Sequence, residues 1–280
     1  MSSEVQERKQ AAPLAPVAPP RRRPLIPRGW RERAVWAASV IVVLAAWQLY
    51  AQLSHVNRIF LRPPTDVARA FVELVQDGTL IQATGESTRT LVFGFLLALT
   101  VGLGVGLGTA RSWVAYHAAN PWITALYSTP SVALVPFMSL WLGIGDTAKV
   151  AVIALFAVFP VIVNTQQGVR YVDADLLEVA RAFNSSERRL WTDVLIPSAL
   201  PYIFAGIRLA IPRALVGMVL AEFLISVGRG LGSLIIVYQN TFRVDRMFVP
   251  VIVVAAMGAV LIAIAQWIEG RLVPWARRDR

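Results

Sequence analysis

Six apolar runs, each close to twenty residues long, constrain this chain more than any other feature. They fall at residues 34–53, 91–110, 123–142, 148–165, 202–225 and 248–268. A helix needs about 20 apolar residues to cross about 30 Å of hydrocarbon, so each run approaches one crossing. The fold class read from them is all-α, a membrane protein with six transmembrane helices. Length does not decide this, because 280 residues would also fill a soluble domain. Composition agrees with the runs: only 16% of residues are charged, against about 25% in ordinary soluble domains. The third and fourth runs contain Pro130, Pro136 and Pro160. Proline is tolerated in spanning helices where neighbours satisfy the freed carbonyls, so kinks facing a bundle interior are expected there.

The chain carries 27 basic and 17 acidic residues, net +10. Such a balance is compatible with nucleic-acid binding, but the positive-inside rule accounts for it better. Leaving aside Arg208 and Arg213 inside the fifth run, 17 Lys and Arg fall on one side of the six crossings and eight on the other. The richer side is cytoplasmic, so both termini and the segment 173–201 are expected there. Residues 1–33 read as a disordered basic tail, 34–270 as the membrane domain and 271–280 as a second basic tail. The first 29 residues lack the 7–15-residue apolar core of a cleaved signal peptide. Trp30, Trp36, Trp47 and Tyr50 flank or end the first run, as interfacial aromatics do. There is no cysteine, hence no disulfide framework and no thiolate metal site.

Segment 173–201 is a polar, charged stretch held between the fourth and fifth runs. Asp175 and Glu178, three apart, form an acidic variant of a capping box. Leu176, Leu177, Ala180 and Phe183 then recur at helical spacing and give one apolar face. Asn184 can adopt the left-handed conformation that ends a helix. Ser185 or Ser186 can cap a second helix, with Leu190, Trp191, Val194 and Leu195 on its apolar side. Pro197 and Pro201 are expected to stop that helix before the fifth crossing. The element is therefore a pair of short helices with a sharp corner at the cytoplasmic face. It either packs under its own bundle or docks into a groove on a soluble partner. A DNA-reading helix-turn-helix is excluded, because so short a tethered segment cannot reach a major groove.

Glu178-Val179-Ala180, then Asn184, then Val194-Leu195-Ile196-Pro197 resembles the loop motif of ABC importer permeases, with matching spacing throughout. That motif reads Glu-Ala-Ala, three residues, Gly, nine residues, Ile, one residue, Leu-Pro. Val179, Asn184, Val194 and Ile196 are mild departures from it. Ala205-Gly206-Ile207-Arg208 and the stretch from Arg213 to Glu222 also look like the family's fifth span. Leu61-Arg62-Pro63-Pro64 through Val67 resembles the nitrate, sulfonate and taurine group. The resemblance covers about residues 34–275.

It implies a cytoplasmic coupling helix between spans four and five, seated in a cleft of a separate ATPase. Glu178, Ala180 and Asn184 would carry that role. It also implies an external substrate-binding protein and a second permease subunit, identical to the first in the simplest case, all at the cell membrane. The chain would then translocate a small polar, often anionic solute. It would hold no cofactor and would not itself be an enzyme. The competing class is an autonomous secondary transporter or a structural membrane protein.

Inside the runs, Gly94, Gly102, Gly104, Gly106 and Gly108 read as a surface for close helix packing. They are not a phosphate loop, since no Gly-Lys-Ser/Thr follows. Arg208 and Glu222 lie within about 40° on one helical face. With Arg213 and Asn164 they are candidates for a translocation path, the alternative for the arginines being snorkelling to the interface. Ser128, Thr129, Ser131 and the polar end of run four either line a path or bond across helices. His55 and His117 fall on opposite sides of the membrane, so no metal site is expected from them. Residues 65–77 should form an interfacial outer helix with Val67, Ala70, Phe71, Leu74 and Val75 on its apolar face. Residues 228–246 should supply a second, partly buried outer helix through Leu231, Leu234, Ile235 and Val237.

Overall fold

The computed structural model describes residues 30–53, 60–225 and 228–277. All regular structure among them is helical. The chain divides into two units, Met1–Trp47 and Gln48–Arg280. Of the first, the described part is the body of α1 (Trp30–Leu53), apolar and long enough to cross a membrane. The basic tail before it, and His55, lie outside the described residues.

The second unit contains α2 (Pro64–Gln76), α3 (Thr79–Ala110), α4 (Trp113–Ser128) and α5 (Val135–Leu142), the last entered through a 3-10 turn, Ser131–Leu134. These are followed by α6 (Asp146–Arg170), α7 (Ala174–Ala182), α8 (Glu187–Leu224), α9 (Leu231–Asn240) and α10 (Val244–Leu272).

Helix α6 is the axis of this unit, packed along its length by α3 and α8. Three glycines set the first contact. A Cβ on Gly94, Gly102 or Gly106 would come within 2.6–2.8 Å of Ile153, Val161 or Thr165 respectively. Without a side chain the two backbones can close, which is how helices associate in lipid where burial alone supplies no drive. Gly104 and Gly108 have nothing within 4 Å, so the packing role expected of five glycines belongs to three. On the other side, Gly206 meets Pro160 and Asn164, Gly217 meets Phe156, and Gly168 meets Ala199. Ala98, Ala157, Val161, Ala210, Ala214 and Met218 fill the seam between the three helices.

These contacts also fix direction. Gly94, Gly102 and Gly106 meet residues 153, 161 and 165 in the same order, so α3 and α6 run parallel. Segment 111–145 must therefore travel back the full length between them. Helices α4 and α5 consequently form one broken crossing, bent by 92°. The break sits at Thr129, whose φ of −71° and ψ of 132° are extended. A residue before proline is pushed out of the helical region by the ring of Pro130. Pro136 falls in the first turn of α5, where the missing N–H is harmless. Pro160 leaves α6 unbroken, so only one of the three expected proline kinks divides its helix. With α1, α3, α6, α8 and α10, the helices long and apolar enough to cross a membrane come to six among the described residues once this bent pair is taken as one span, as the apolar runs imply.

Two local expectations are corrected. Helix α7 is capped by Asp173, whose side chain accepts the Asp175 N–H, rather than by an Asp175–Glu178 box. Pro197 and Pro201 do not end a short helix; α8 runs through both from Glu187 to Leu224. Residues Leu190–Leu195 are π-helical, and the Ile196 N–H bonds back to the Trp191 carbonyl. That widened turn absorbs the register change that Pro197 would otherwise force, since proline has no N–H and its ring crowds the carbonyl four residues back.

The two helices expected on the outer side match their patterns in part, Val237 being exposed. Helix α2 buries Val67, Ala70 and Leu74 against α10 and α3 while leaving Phe71 exposed. Its Glu73 pairs with Arg246 of α10 at 2.9 Å. Helix α9 buries Leu231.

Candidate functional site

The first candidate site is built on α7 and the corner after it. Helix α7 stops because Asn184 takes a φ of 48°. That turn lets the Ser185 N–H reach the Ala180 carbonyl at 3.0 Å and the Asn184 N–H reach the Arg181 carbonyl at 2.9 Å, the left-handed helix ending in which asparagine can stand for glycine. Ser186 then caps α8 through the Arg189 N–H, and Arg111 at the end of α3 pairs with Glu187 at 3.3 Å.

The apolar face expected of this helix is divided. Leu177 turns inward, with Leu190 and Trp191, onto a cluster of Ala110, Val169, Leu195, Ala199 and Ile203, and Ala180 is buried as well. Leu176, Val179 and Phe183 are 49%, 53% and 81% exposed. Glu178 is exposed beside them. Nine residues resting on one edge of the π-helical stretch can bury only one edge, which leaves an ordered apolar and acidic surface facing outward. Val194, Ile196 and Pro197 lie half-buried in the root of α8.

The second candidate site concerns the polar residues inside the crossings, which the structure separates by partner. Glu222 of α8 is buried, accepting from Ser87 Oγ of α3 at 2.6 Å and from the Gly232 N–H at 2.7 Å. Ser87 in turn accepts the Leu231 N–H at 2.8 Å. The carboxylate presses on Gly230, whose φ of +103° and missing Cβ make room for it. Glu222 thus fastens the start of α9 to α3 and α8, rather than facing Arg208 along an open path. Arg208 pairs with Glu269 of α10. Asn164 Nδ2 donates to the Pro160 carbonyl at 2.8 Å, against Gly206. Gln166 bonds across to Thr109 at 2.7 Å.

Arg213 differs from all of these. It is exposed, with its guanidinium 5.0 Å from the centre of the Tyr127 ring. Together with Ser128, Thr129, Ser131 and Phe156 these two residues line a cavity of about 440 Å³ at the break of the α4–α5 crossing. No carboxylate lines it. Thr129 Oγ1 donates to the Ala125 carbonyl at 2.9 Å.

Three partners escaped the sequence reading. Glu269 lies just beyond the last apolar run, Ser87 in the approach to the second, and Tyr127 within the third. Only the Gly230-Leu231-Gly232 pattern signalled a close backbone approach. Among the described residues no group of His, Cys, Asp and Glu could hold a metal ion. His117 Nδ1 sits 2.8 Å from the Trp113 carbonyl of its own helix.

Comparison with known proteins gives a consistent picture. The family described as "Binding-protein-dependent transport system inner membrane component" matches residues 98–278. A permease protein of Bacillus subtilis (strain 168) assigned to aliphatic sulfonates transport, SsuC, is 32% identical over 248 residues, covering 88% of this chain and 90% of its own. The riboflavin transport system permease protein RibX of Chloroflexus aurantiacus is 32% identical over 250 residues, 87% of this chain and 92% of its own. Among solved structures, the MetNI methionine ABC transporter in inward-facing conformations aligns with a TM-score of 0.58. At 17% identity, covering 69% of this chain and 95% of that one, the likeness is one of fold.

Proposed function

The chain belongs to the family of inner membrane components of binding-protein-dependent transport systems, and from that premise we propose that it is the permease subunit of an ATP-driven importer of a small polar, anionic solute. The observation that carries the coupling part of this reading is the outward face of α7. A short helix held rigidly at a defined corner, exposing Leu176, Val179 and Phe183 around Glu178, fits a helix-in-groove docking surface. Such an apolar patch on an otherwise charged surface segment calls for a partner. The partner is a cytoplasmic ATPase, and hydrolysis belongs to it. Glu178 pairs there with a basic or backbone donor. Ala180 and Asn184 shape the helix end, while Val194, Ile196 and Pro197 root it in α8, so that a push on α7 moves a membrane-crossing helix directly.

The machine needs two docking helices and this chain has one, so it works as a pair of permease subunits, most simply identical. A substrate-binding protein delivers the solute on the opposite face, and both termini are cytoplasmic. Of the four pathway candidates, we assign Arg213 to the pathway. Arg208, Asn164 and Glu222 are engaged by their own chain and serve as scaffold.

Glu178→Lys is expected to abolish uptake and the coupling of ATP hydrolysis to solute, while the protein still inserts and folds. Uptake at the wild-type rate in that variant would remove the docking assignment. The broken α4–α5 crossing supports a second reading, an autonomous secondary transporter, because such carriers use discontinuous helices. Affinity purification of the full chain from its own membranes, with and without crosslinking, decides between them. A stoichiometric ATPase supports the importer, and recovery of this chain alone supports the carrier.

A further inference from the structure

Arg213 stands in the middle of the run 202–225, with eleven residues of that run on one side and twelve on the other. At 1.5 Å per residue it is about 17 Å from either end, near the midplane of the bilayer. An ionisable side chain at that depth is expensive and faces either a partner or a wet cavity. Here it has a ring and a cavity. The Tyr127 face stabilises the cation without neutralising it, and no carboxylate lines the cavity it shares. Pro130 breaks the crossing beside it, and Pro212 leaves the Arg208 carbonyl without its usual helix donor. Ser128, Thr129 and Ser131 bring three hydroxyls to the same cavity.

We propose that this cavity is an anion-selective station on the translocation pathway. It takes a compact oxyanion such as a sulfonate or carboxylate, held by the Arg213 guanidinium and the hydroxyls of Ser128 and Ser131. This deepens the importer reading and rests on it. The chemistry is specific. A planar guanidinium presents a fixed fork of N–H donors that matches two oxygens of such a group. Hydroxyls rotate to follow the remaining oxygen as the anion passes. Tyr127 fixes the guanidinium from one side, so its free edge is left for the solute. The size suits a transient stop, since about 440 Å³ admits a small anion with some of its water.

The test is uptake of labelled ethanesulfonate, with nitrate and taurine run in parallel. The full transporter is used, this chain with its own ATPase and binding protein, in proteoliposomes. Arg213→Gln is expected to lower kcat at least about tenfold, the scale of one lost charged hydrogen bond. KM, set by the binding protein, should stay within about twofold. Because a loss of folded protein would also lower the apparent kcat alone, rates are taken per assembled complex, counted by the ATPase that co-purifies with it. Arg213→Lys keeps the charge without the fork and should fall between the two. Should Arg213→Gln fail to assemble with the ATPase, Ser128→Ala with Ser131→Ala serves instead, with a loss of several-fold expected. Wild-type kcat in the assembled arginine or serine variants would overturn the station and leave the importer standing. If the wild-type complex moves none of the three anions, the anionic-solute reading falls and the station with it, whereas normal transport by Glu178→Lys removes the docking assignment.

Discussion

Glu222 and Arg213 sit on the same helix, nine residues apart, both charged and both set in apolar sequence. Their surroundings are opposite. Glu222 is enclosed, with Ser87 and the Gly232 N–H donating to it and Gly230 reduced to make space. Arg213 opens onto a cavity and lies over an aromatic face that leaves its charge intact. A charge at membrane depth is therefore not in itself a site. What separates scaffold from site is whether the fold has already supplied the partners the charge requires. The same contrast holds on α7, where Ala180 is covered by its own chain and Phe183, three residues on, is exposed.

The comparison can be broken in several ways. The largest expected effect on folding comes from Glu222→Ala, which strands Ser87 and the α9 N-terminus inside the protein. Burying such unsatisfied groups costs about 3 kcal/mol, read as a lower thermal midpoint in detergent and reduced yield. Uptake per folded molecule should change far less than it does for Arg213→Gln. A transport loss in Glu222→Ala without a stability loss would erase the distinction between the two residues.

Glycine contacts give a paired test of somewhat smaller size. Gly102→Leu pushes a side chain into Val161 and should destabilise by about 2 kcal/mol through overpacking. Gly104→Leu, two residues away with nothing within 4 Å, should leave the midpoint where it is. Equal effects would contradict the α3–α6 register and, with it, the single broken crossing.

Tyr127→Leu removes the ring behind Arg213. Losing a cation–π contact of about 1 kcal/mol should cut uptake several-fold with little change in the folding midpoint. The smallest effect is at Asp77, outside the crossings. The Thr79 backbone N–H, then its hydroxyl, donate to this carboxylate and hold its pKa below the ordinary 3.8. A depressed carboxyl stabilises the fold above its unfolded value and loses that contribution as pH falls through the folded one. Asp77→Asn should therefore lower the midpoint slightly at neutral pH, where that contribution is fully present. It should also soften the decline below pH 3.8 only slightly, because the group is fully exposed.

Much of the scaffold was legible in the sequence because it rests on local rules. The number of crossings follows from run length, the α7 corner from Asn184 and Ser186, and the outer helices from residue spacing. Local rules misled where a neighbour changes them. Pro197 and Pro201 read as stops, yet a π-helical turn carries α8 through both. Pro160 and Pro130 read alike, but Pro160 sits in a helix packed on two sides by α3 and α8, while Pro130 breaks the α4–α5 crossing.

The sequence by itself determined that this is a six-crossing helical membrane protein with a patterned segment between its fourth and fifth crossings. Hydropathy, charge bias and motif spacing are properties of the chain read in order, so they needed no coordinates. Which charges are held and which are free was decided only by the tertiary structure. Glu269 reaches Arg208 across 61 positions, Ser87 reaches Glu222 across 135, and Tyr127 meets Arg213 from a different crossing. No local pattern encodes such pairings, because they depend on the register at which separate helices pack.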